Sequence, residues 1–538
     1  MERLPKIVGY DVELGNFLLG VDKQGGSGLE ASRMLLSRMP GVMPANEYNG
    51  FANAWTAGSY SGHGGAGSWQ PPDPRDFGRK WTTSGATAYI DSDHIEIAGA
   101  ECTNAWDWTA QFYAQLMQVR EAQRRATADL PGETAVQVLV CNSDGLGNSW
   151  GSHINVLITR RAFRNIFERR MHYLLWLASY QVSSTIVSGL GKVGSEHGRP
   201  PIDFQLSQRA DFFSEIVSHA TMSRRPIINA RDEPHCYPTP EFARYHHISN
   251  DVNLCQTANL IKVGVLQIVL AMVEAESELV NPSVLLDSPL DAWLAFSRDP
   301  SLQAKVRTLN GELVSALDLQ RSFLDAATRF TDAGGCEGFV PRAGEILALW
   351  SETLDLLEAH DWDRLTGRLD WVLKKRLIED TVASTPGMTW QSHEAKYLDL
   401  MYSSLLAEDG LFWPCMDAGL VEQAVDPQRV EYLMTEPPDD TRAFTRGRLI
   451  SGIAGYQIET ANWDCVRLRF GSPGYRGRIA TVYLDSPCGS TAADNPSLAQ
   501  TLAGEPYTLQ ADSQHDSIPS SEDKPLCKSK NEPTTRPL

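Results

Sequence analysis

Short segments of strand-like alternation are interleaved with long segments of helical period along the chain. Alternation predicts strands at KIVGYDVELG near the N-terminus, at GATAYIDSDHIEIAGA (85–100), at AVQVLVCNSD and at SHINVLIT. Helical period predicts helices at about 103–128, 162–190, 255–279, 311–331, 342–360 and 363–380. Polar strands between such helices indicate an α+β fold with a mostly antiparallel sheet, one face covered by helices and the other open.

The other segments predict how the chain is divided. Residues 16–84 show little periodicity and include AGSYSGHGGAGSWQPPDPRD (57–76), which predicts a long inserted loop, either a functional lid or a disordered segment. This loop falls within a predicted large domain, 1–427, and a shorter α/β segment predicts a small C-terminal domain at 428–504. The tail 505–538 is rich in Ser, Pro, Asp and Lys, which predicts disorder.

Composition narrows the class of protein. A net charge of −19 over 538 residues disfavours nucleic acid and anionic membranes as partners. The apolar window Ala258–Val273 carries Lys262 and Gln267 and is shorter than a membrane span of about 20 residues, so it predicts a buried core helix. The nine cysteines form no CxxC or Cys/His cluster, and the N-terminus has no signal-peptide pattern. We therefore expect free thiols and a cytoplasmic protein.

Acidic, His and Asn side chains recur two residues apart in three predicted strands. Residues two apart on a strand project from the same face, and carboxylates on one buried face repel unless a cation lies between them. The pattern therefore predicts a hard divalent cation such as Mg²⁺ with substrate phosphates, whereas the alternative is an exposed sheet face that binds nothing. These residues are Asp11 and Glu13, then Tyr89, Asp91 and Asp93 with Glu96 five after Asp91, then His153 and Asn155.

Cationic side chains concentrate in the second quarter of the chain. The segment SRRPIINARDEPH (223–235) includes Arg231, LSQRAD supplies Arg209, and YHHISNDVN contains His246 and His247. The guanidinium group of Arg can donate two parallel hydrogen bonds to a phosphate or carboxylate, which favours an anion-binding site. Surface ion pairs would explain the same residues equally well. The chain contains no GxxxxGK[ST], so a P-loop is not predicted.

Several of these blocks, in this order along the chain, resemble the Pup ligase and depupylase family, PafA and Dop. The blocks run from residue 6 to about 470 and include GYDVELG, GATAYIDSDHIEIAGAEC, NSDGLGNSWGSHIN, FQLSQRAD, RPIINARDEPH, LDWVLKKRL and EPPDDTRAFTRG. The resemblance implies a glutamine-synthetase-like antiparallel sheet cradle backed by helices, with a smaller C-terminal domain.

Spacing within the resemblance favours the depupylase branch, Dop. Seventy-eight positions separate Glu13 from Asp91, which is similar to the long insertion of that branch. Asp91, His94 and Glu96 keep the depupylase spacing, and FSRDPSLQAKV (296–306) is also depupylase-like.

The resemblance implies roles for individual residues. Asp91 would be the reacting carboxylate, and Arg209 and Arg231 are candidates for holding phosphate. ATP would contact Ala98, Gly99 and Asn155. The implied Mg²⁺ ligands are Asp11, Glu13, Tyr89, Glu96, His153 and His246.

The implied activity is ATP- and Mg²⁺-dependent hydrolysis of the isopeptide or C-terminal amide bond of a Pup-like modifier. A ligase that works through a γ-glutamyl phosphate, a diverged phosphotransferase and a non-catalytic binding protein remain alternatives. An acidic modifier would need a basic groove, for which RAFRNIFERR (161–170) and LKKR (373–376) are candidates, unless both are solvated helix faces.

Four positions depart from the family pattern. Asp11 stands where the family has a Glu, and Ile154 stands where His-Glu-Asn would place a carboxylate. Thr87 replaces an Arg that would precede the Tyr, and Gln256 replaces a Glu. These departures leave the acceptor and the substrate open.

Overall fold

The computed structural model describes residues 3–21, 26–44, 78–236, 240–406, 408–452, 456–470 and 478–494. All of them belong to one compact unit, Met1–Asn495. The predicted boundary between residues 427 and 428 stays a prediction. The Gly/Ser/Pro-rich segment 57–76 and the tail 505–538 lie outside the described residues.

Sixteen strands occur in the described part of the chain. They are β1 (Val8–Leu19), β2 (Lys80–Trp81), β3 (Thr87–Asp91), β4 (His94–Ala98), β5 (Ala135–Leu139), β6 (Ser152–Thr159), β7 (Lys192–Val193), β8 (Phe204–Gln205), β9 (Phe213–Ser218), β10 (Arg225–Asn229), β11 (Phe242–His247), β12 (Val306–Arg307), β13 (Leu313–Val314), β14 (Tyr456–Ala461), β15 (Cys465–Phe470) and β16 (Arg478–Tyr483).

The remaining described chain contains helices and the segments that connect them. The α-helices are Gly28–Arg38, Ala105–Ala128, Arg160–Arg164, Met171–Ser183, Thr185–Ser188, Gln256–Glu274, Pro289–Ser297, Ala316–Asp332, Ala343–Glu358, Trp362–Leu365, Asp370–Ser384, His393–Tyr402, Phe412–Asp417, Pro427–Leu433 and Ala443–Ile450. Asn165–Arg169 is a π-helical turn, and Ala210–Phe212 and Pro282–Val284 are 3₁₀ turns.

A large sheet organises the molecule, and β1 is its central strand. The strand order is β2-β3-β4-β1-β6-β11-β10-β9, and β5 pairs with the second half of β1. Neighbouring strands run antiparallel except β9 and β10, which are parallel. Gly15 marks the point where β1 changes partner from β4 to β5, and a Cβ there would lie 2.8 Å from the Trp150 ring. The predicted α+β class with a mostly antiparallel sheet is confirmed.

Helices cover one face of this sheet with a single large core. Ala105–Ala128 packs against β1 and β5, and Gln256–Glu274 packs against Ala105–Ala128, Ala343–Glu358 and β6. Gln256–Glu274 is apolar enough for a membrane span by composition, but its most apolar window is entirely buried within the protein. The prediction of a buried core helix is therefore confirmed.

The C-terminal strands build a second, smaller sheet, in the order β14-β15-β16. Trp81 of β2 packs into the apolar cluster of this sheet, together with Leu449 and Val466. A buried ion pair network reinforces the same junction: Glu101 accepts hydrogen bonds from Arg442 at 2.6 Å and from Arg446. Burial would raise the pKa of Glu101, but the guanidinium groups of Arg446 and Arg442 lower it to about 2.

Some predicted elements differ from the structure. The segment 16–84 is not one loop, because β1 continues to Leu19, Gly28–Arg38 is helical and β2 lies near the end of the segment. The helix buries Ala31 and Leu35, a helical spacing that the surrounding Gly and Ser residues obscured. The single helix predicted at 162–190 is divided by the π-helical turn Asn165–Arg169 and a break at Ser184.

Candidate active site

The open face of the large sheet forms the floor of a cleft of about 1170 Å³. Side chains of β1, β3, β4, β6 and β11 line this floor, and segments at residues 144–151, 221–225 and 231–235 form part of its wall. Every site residue predicted from the sequence lines this one cleft: Asp11, Glu13, Tyr89, Asp91, Glu96, Ala98, Gly99, His153, Asn155, Arg209, Arg231 and His246. Residues up to 235 positions apart in the chain are thus neighbours in space.

One group of cleft side chains offers only oxygen atoms. Strand register places Glu13 of β1 opposite Glu96 of β4, and Glu96 opposite Tyr89 of β3. The Tyr89 hydroxyl donates to Glu96 Oε1 at 2.5 Å. Glu13, Asp91 and Glu96 each place a carboxylate oxygen within 4.8 Å of the others. We call these three residues the oxygen group.

The oxygen group is electrostatically frustrated in the absence of a cation. Burial raises the pKa of Glu96 well above its usual range, and the neighbouring negative charges of Asp11, Glu13 and Asp91 raise it further. Carboxylates crowded in this way favour a bound divalent cation, which removes the repulsion and accepts oxygen ligands.

A second group combines nitrogen and oxygen donors and consists of Asp11, His153 and His246, whose ligand atoms also lie within 4.8 Å of one another. We call it the imidazole group. Asp11 bonds to His153 Nδ1 at 2.6 Å and accepts a hydrogen bond from Asn155 at 2.5 Å. Burial alone would raise the pKa of Asp11, but His153 beside it holds that pKa well below its usual range.

His246 is the clearest sign that this group accommodates a ligand. The side chain is 4 % exposed, and neither ring nitrogen has a hydrogen-bond partner. Its ring lies edge-on to that of His153, with centroids 5.0 Å apart. Burial lowers the pKa of His246 well below its ordinary value, as do the charges of Arg244 and His153, so the imidazole is neutral. A buried neutral imidazole without partners fits a metal ion, because unpaired buried polar groups are costly.

The predicted reacting carboxylate lies at the edge of this arrangement. Asp91 is the last residue of β3, is exposed, and is opposite His94 across the β3–β4 turn. The prediction that Asp93 shares the face of Tyr89 and Asp91 is wrong, because the chain reverses at Ser92 and Asp93. Ser92 adopts a positive φ of 58°, and Asp93 lies in the turn, where its carbonyl accepts a hydrogen bond from Ser32.

The positions predicted to contact ATP form the end of the cleft beside the imidazole group. Ala98 is the last residue of β4 and Gly99 follows it, and Gly99 donates its backbone N–H to the Tyr10 carbonyl. A Cβ at position 99 would lie 2.2 Å from the Tyr10 ring, so only glycine allows this close approach. Asn155 accepts a hydrogen bond from Arg244 at 3.2 Å while it donates to Asp11.

Arg244 is a cleft residue that the sequence analysis missed. Its guanidinium lies between Asn155 and Glu233, and Glu233 also pairs with Arg231 at 3.0 Å. The sequence FARYHH could have indicated this residue, since strand alternation puts Arg244 on the same face as His246. The guanidinium groups of Arg231 and Arg244 thus both line the cleft and both pair with Glu233.

Arg209, the other arginine predicted to hold phosphate, lies deeper in the protein than Arg231 and Arg244. It is fully buried, donates to the Ile248 carbonyl at 2.6 Å, and has no partner for Nε. Burial, followed by the nearby charge of Arg225, lowers its pKa to about 9. An anion in the cleft would relieve both effects.

Three of the four departures from the family pattern have structural explanations. Ile154 is buried on the covered face of β6, so position 154 does not line the cleft. Buried Thr87 donates to the Lys80 carbonyl, and the guanidinium of Arg79 instead lies 4.6 Å from the Tyr89 ring. Gln256 accepts the backbone N–H groups of residues 424 and 425, which is a structural role.

The two candidate basic segments do not form a basic groove. Within 373–376, Lys374 is fully buried and pairs with Asp399 at 2.8 Å. Within 161–170, Arg161 and Arg170 both pair with Glu276. Neither segment lines the cleft.

Comparison with known proteins identifies the family. The family model described as Pup-ligase protein matches residues 29–467. The Pup deamidase/depupylase of Mycolicibacterium smegmatis is 35 % identical over 390 residues, which covers 71 % of this chain and 74 % of the relative. A Pup–protein ligase of Acidimicrobium ferrooxidans is 33 % identical over 412 residues, 76 % of this chain and 86 % of the relative.

Solved structures show the same fold. A crystal structure of the ligase PafA in complex with the prokaryotic ubiquitin-like protein Pup matches with a TM-score of 0.74 and 21 % identity, over 93 % of this chain and 91 % of that one. PafA in complex with ADP matches with a TM-score of 0.66 and 24 % identity, over 79 % of this chain and 90 % of that one. The predicted fold of the Pup ligase kind is confirmed, and the chain belongs to the Pup ligase family.

Proposed function

We propose that this protein is an ATP- and Mg²⁺-dependent hydrolase that cleaves the isopeptide or C-terminal amide bond of a Pup-like modifier. The observation that carries the proposal is the exposed Asp91 carboxylate at the edge of the oxygen group, inside a cleft that also holds the imidazole group and several arginines. Relatives named depupylase at 34 and 35 % identity support the hydrolytic branch.

The residues present fit a metal–nucleotide complex. The oxygen group with the Tyr89 hydroxyl, and the imidazole group, would hold divalent cations. Ala98, Gly99 and Asn155 would contact the nucleotide, and Arg231 and Arg244 would face its phosphates together with the more buried Arg209. Bound in this way, the cation supplies positive charge that compensates the phosphates and polarises the group to be attacked.

The chain itself supplies the reacting and orienting groups. Asp91 is exposed enough to reach a substrate, and it either accepts a proton from a water molecule or attacks the substrate as a nucleophile. Glu96 and Glu13 would hold a cation beside Asp91, and the arginines would stabilise negative charge that develops during the reaction. The β3–β4 turn fixes Asp91 because its neighbour Ser92 takes a left-handed conformation.

A cleavage assay tests this proposal. Purified protein is incubated with ATP, Mg²⁺ and a Pup–lysine conjugate, and free Pup is measured. We expect cleavage that falls by about 100-fold or more in Asp91→Asn. Asp93→Asn is the matched control, since Asp93 is exposed two residues away but lies outside the oxygen group, and it should retain activity within a few-fold. Nucleotide binding should persist in both variants.

A ligase is the second candidate, because relatives named Pup–protein ligase are 33–34 % identical. New Pup–protein conjugates formed from free Pup, with no cleavage of existing ones, would replace the first proposal with the second. ATP turnover that is unaffected by Asp91→Asn would instead indicate that Asp91 has no catalytic role.

We also propose a cytoplasmic location. The eight cysteines in the described residues are free, and seven of these thiols are buried, which fits a reducing compartment.

A further inference from the structure

The turn between β3 and β4 has an uncommon backbone conformation directly beside Asp91. Strand β3 ends at Asp91 and β4 begins at His94, so Ser92 and Asp93 reverse the chain. Ser92 has a positive φ of 58°, a region in which residues with a side chain are uncommon. Such a conformation persists where the surrounding structure determines it. The contacts of this turn therefore bear on the position of the Asp91 carboxylate.

Two buried polar side chains contact the turn. The Ser32 hydroxyl donates to the Asp93 carbonyl at 2.8 Å, and the Asn16 amide nitrogen lies 3.2 Å from the same oxygen. The Asn16 amide also donates to the Ser32 hydroxyl at 2.8 Å, so the two side chains are hydrogen-bonded in series. Asn16 is 6 % exposed and Ser32 is fully buried. We call this pair the Asn16–Ser32 bridge.

Asn16 connects the turn to the central strand of the sheet. Strand β1 pairs with β4 as far as Leu14 and with β5 from Gly15 onwards. The side-chain oxygen of Asn16 accepts the backbone N–H of Ile95 at 2.8 Å. A side chain thus holds the first residues of β4 to β1 beyond the last backbone pair.

Ser32 connects the turn to the helix Gly28–Arg38, which packs against β1, β3 and β4. The start of this helix is bonded to β1 at two further points. Asn16 donates to the Gly28 carbonyl at 2.7 Å, and the Leu18 backbone N–H donates to the Ser27 hydroxyl at 2.8 Å. The helix, β1 and the β3–β4 turn therefore form one hydrogen-bonded unit.

Asp91 depends on this unit more than the other two members of the oxygen group do. Glu13 and Glu96 lie inside the paired strands β1 and β4, where they are opposite each other. Asp91 is exposed and is the last residue of its strand, so its position follows that of the turn. A reacting group that is misplaced by about 1 Å can lose about 100-fold in rate.

We infer that Asn16 and Ser32 are positioning residues for Asp91, and that the helix Gly28–Arg38 thereby sets the conformation of the reactive turn. This inference rests on the proposed function. Because the cation ligands Glu13 and Glu96 lie in paired strands, loss of the bridge should slow the chemical step and leave cation and nucleotide binding unchanged. Asp93→Asn keeps the backbone carbonyl of residue 93 and therefore keeps the bridge.

Ser32→Ala tests the inference with a small structural change. In cleavage of a Pup–lysine conjugate with ATP and Mg²⁺, we expect kcat to fall about fivefold or more, while KM and the Kd for ATP stay within about twofold. This pattern is expected when an interaction acts only in the transition state. Ser37→Ala is the matched control, because the Ser37 hydroxyl lies on the same helix but donates to the Met34 carbonyl of that helix. It should keep the parental kcat.

Asn16→Ala removes the whole bridge and should lower kcat about 20-fold or more. Asn165→Ala is its matched control: Asn165 is 4 % exposed, donates to Glu276 and does not line the cleft. Thermal unfolding of the two variants shows whether they are equally stable. Hydrogen–deuterium exchange supplies a readout without substrate, since the amides of residues 91–95 should exchange faster in Asn16→Ala while those of β6 keep the parental rate.

Each outcome decides between these readings. Lower kcat with faster exchange at residues 91–95 in the bridge variants supports the inference. Parental kcat in both bridge variants overturns it and leaves the proposed function intact. An equal fall of kcat in Asn165→Ala assigns the effect to general destabilisation, and a raised KM or ATP Kd with unchanged kcat assigns the bridge to ligand binding; both overturn the inference. If the parent protein cleaves no conjugate, the proposed function fails and the inference fails with it.

Discussion

Glu96 and Glu101 lie five residues apart, are both buried, and face opposite electrostatic environments. Glu96 is surrounded by Glu13, Asp91 and Asp11, and its pKa is raised first by burial and then by these negative charges. Glu101 is enclosed by Arg446 and Arg442, which hold its pKa at about 2 despite burial. Glu101 thus has its countercharges within the chain, whereas the oxygen group lacks them and would gain them from a bound cation.

The largest expected effect concerns the compensated carboxylate. Glu101→Ala leaves two guanidiniums buried without a countercharge, because Arg446 is fully buried and Arg442 is 3 % exposed. We expect a loss of about 3–5 kcal/mol in the free energy of unfolding, measured by urea denaturation. Glu352→Ala is the matched control: Glu352 also pairs with two arginines, but at the surface, and its loss should cost about 1 kcal/mol or less. Similar losses of unfolding free energy in Glu101→Ala and Glu352→Ala would contradict the distinction between a buried and a surface ion pair.

The same carboxylate, Glu101, should determine how the free energy of unfolding changes at acidic pH. The pKa of Glu101 lies near 2 in the folded protein and near its usual 4.5 when unfolded, so its contribution is complete above pH 4.5 and is lost as the pH falls towards 2. The shift corresponds to about 3 kcal/mol at most. Glu101→Gln should flatten this part of the curve, which is followed by denaturation at pH 2–6. If the free energy of unfolding of Glu101→Gln depended on pH between 4.5 and 2 as it does in the parent protein, the two arginines would not lower the pKa of Glu101.

Removing an uncompensated carboxylate should have the opposite consequence for stability. Glu96→Gln relieves repulsion with Glu13 and Asp91, so the metal-free protein should unfold at the same or a higher temperature than the parent. Mg²⁺ affinity, measured by calorimetry without Pup, should fall about tenfold or more because an oxygen ligand is lost. A destabilised metal-free variant with normal Mg²⁺ affinity would place Glu96 among the structural carboxylates.

The smallest expected effect distinguishes the oxygen group from the imidazole group by the metal ions that each prefers. Imidazole nitrogens favour ions such as Co²⁺ and Zn²⁺ over Mg²⁺. His246→Gln should therefore weaken Co²⁺ binding, followed by visible absorption, about tenfold while it changes Mg²⁺ affinity less. His172→Gln, on the helix Met171–Ser183 outside the cleft, serves as the control. Equal losses for both ions would mean that the groups act as a single site.

The sequence predicted the cleft residues well because strand alternation and antiparallel register are local rules. Asp11, Glu13 and His153 were assigned to one face from spacing alone, and register then places them side by side. The Asp93 prediction failed because a two-residue turn looks like continued alternation when only apolar and polar positions are read.

Burial and pairing across the fold could not be derived in the same way. The segment 373–376 looked basic, yet Lys374 is buried against Asp399. Glu101 resembled any other acid in the sequence, since its partners Arg442 and Arg446 lie more than 340 positions away. Contacts of this range depend on the packing of the whole chain, which no local pattern records.

Strand β1 carries both Asp11 and Glu13, and it pairs with β4, β5 and β6 in the centre of the sheet. Such a strand opens only when the whole domain unfolds, so its amide protons should be among the last to exchange with deuterated solvent. The floor of the cleft would then stay assembled through local fluctuations elsewhere in the molecule. Asp11 and Glu13 would keep their positions relative to the facing side chains of β4 and β6 while substrates bind and leave.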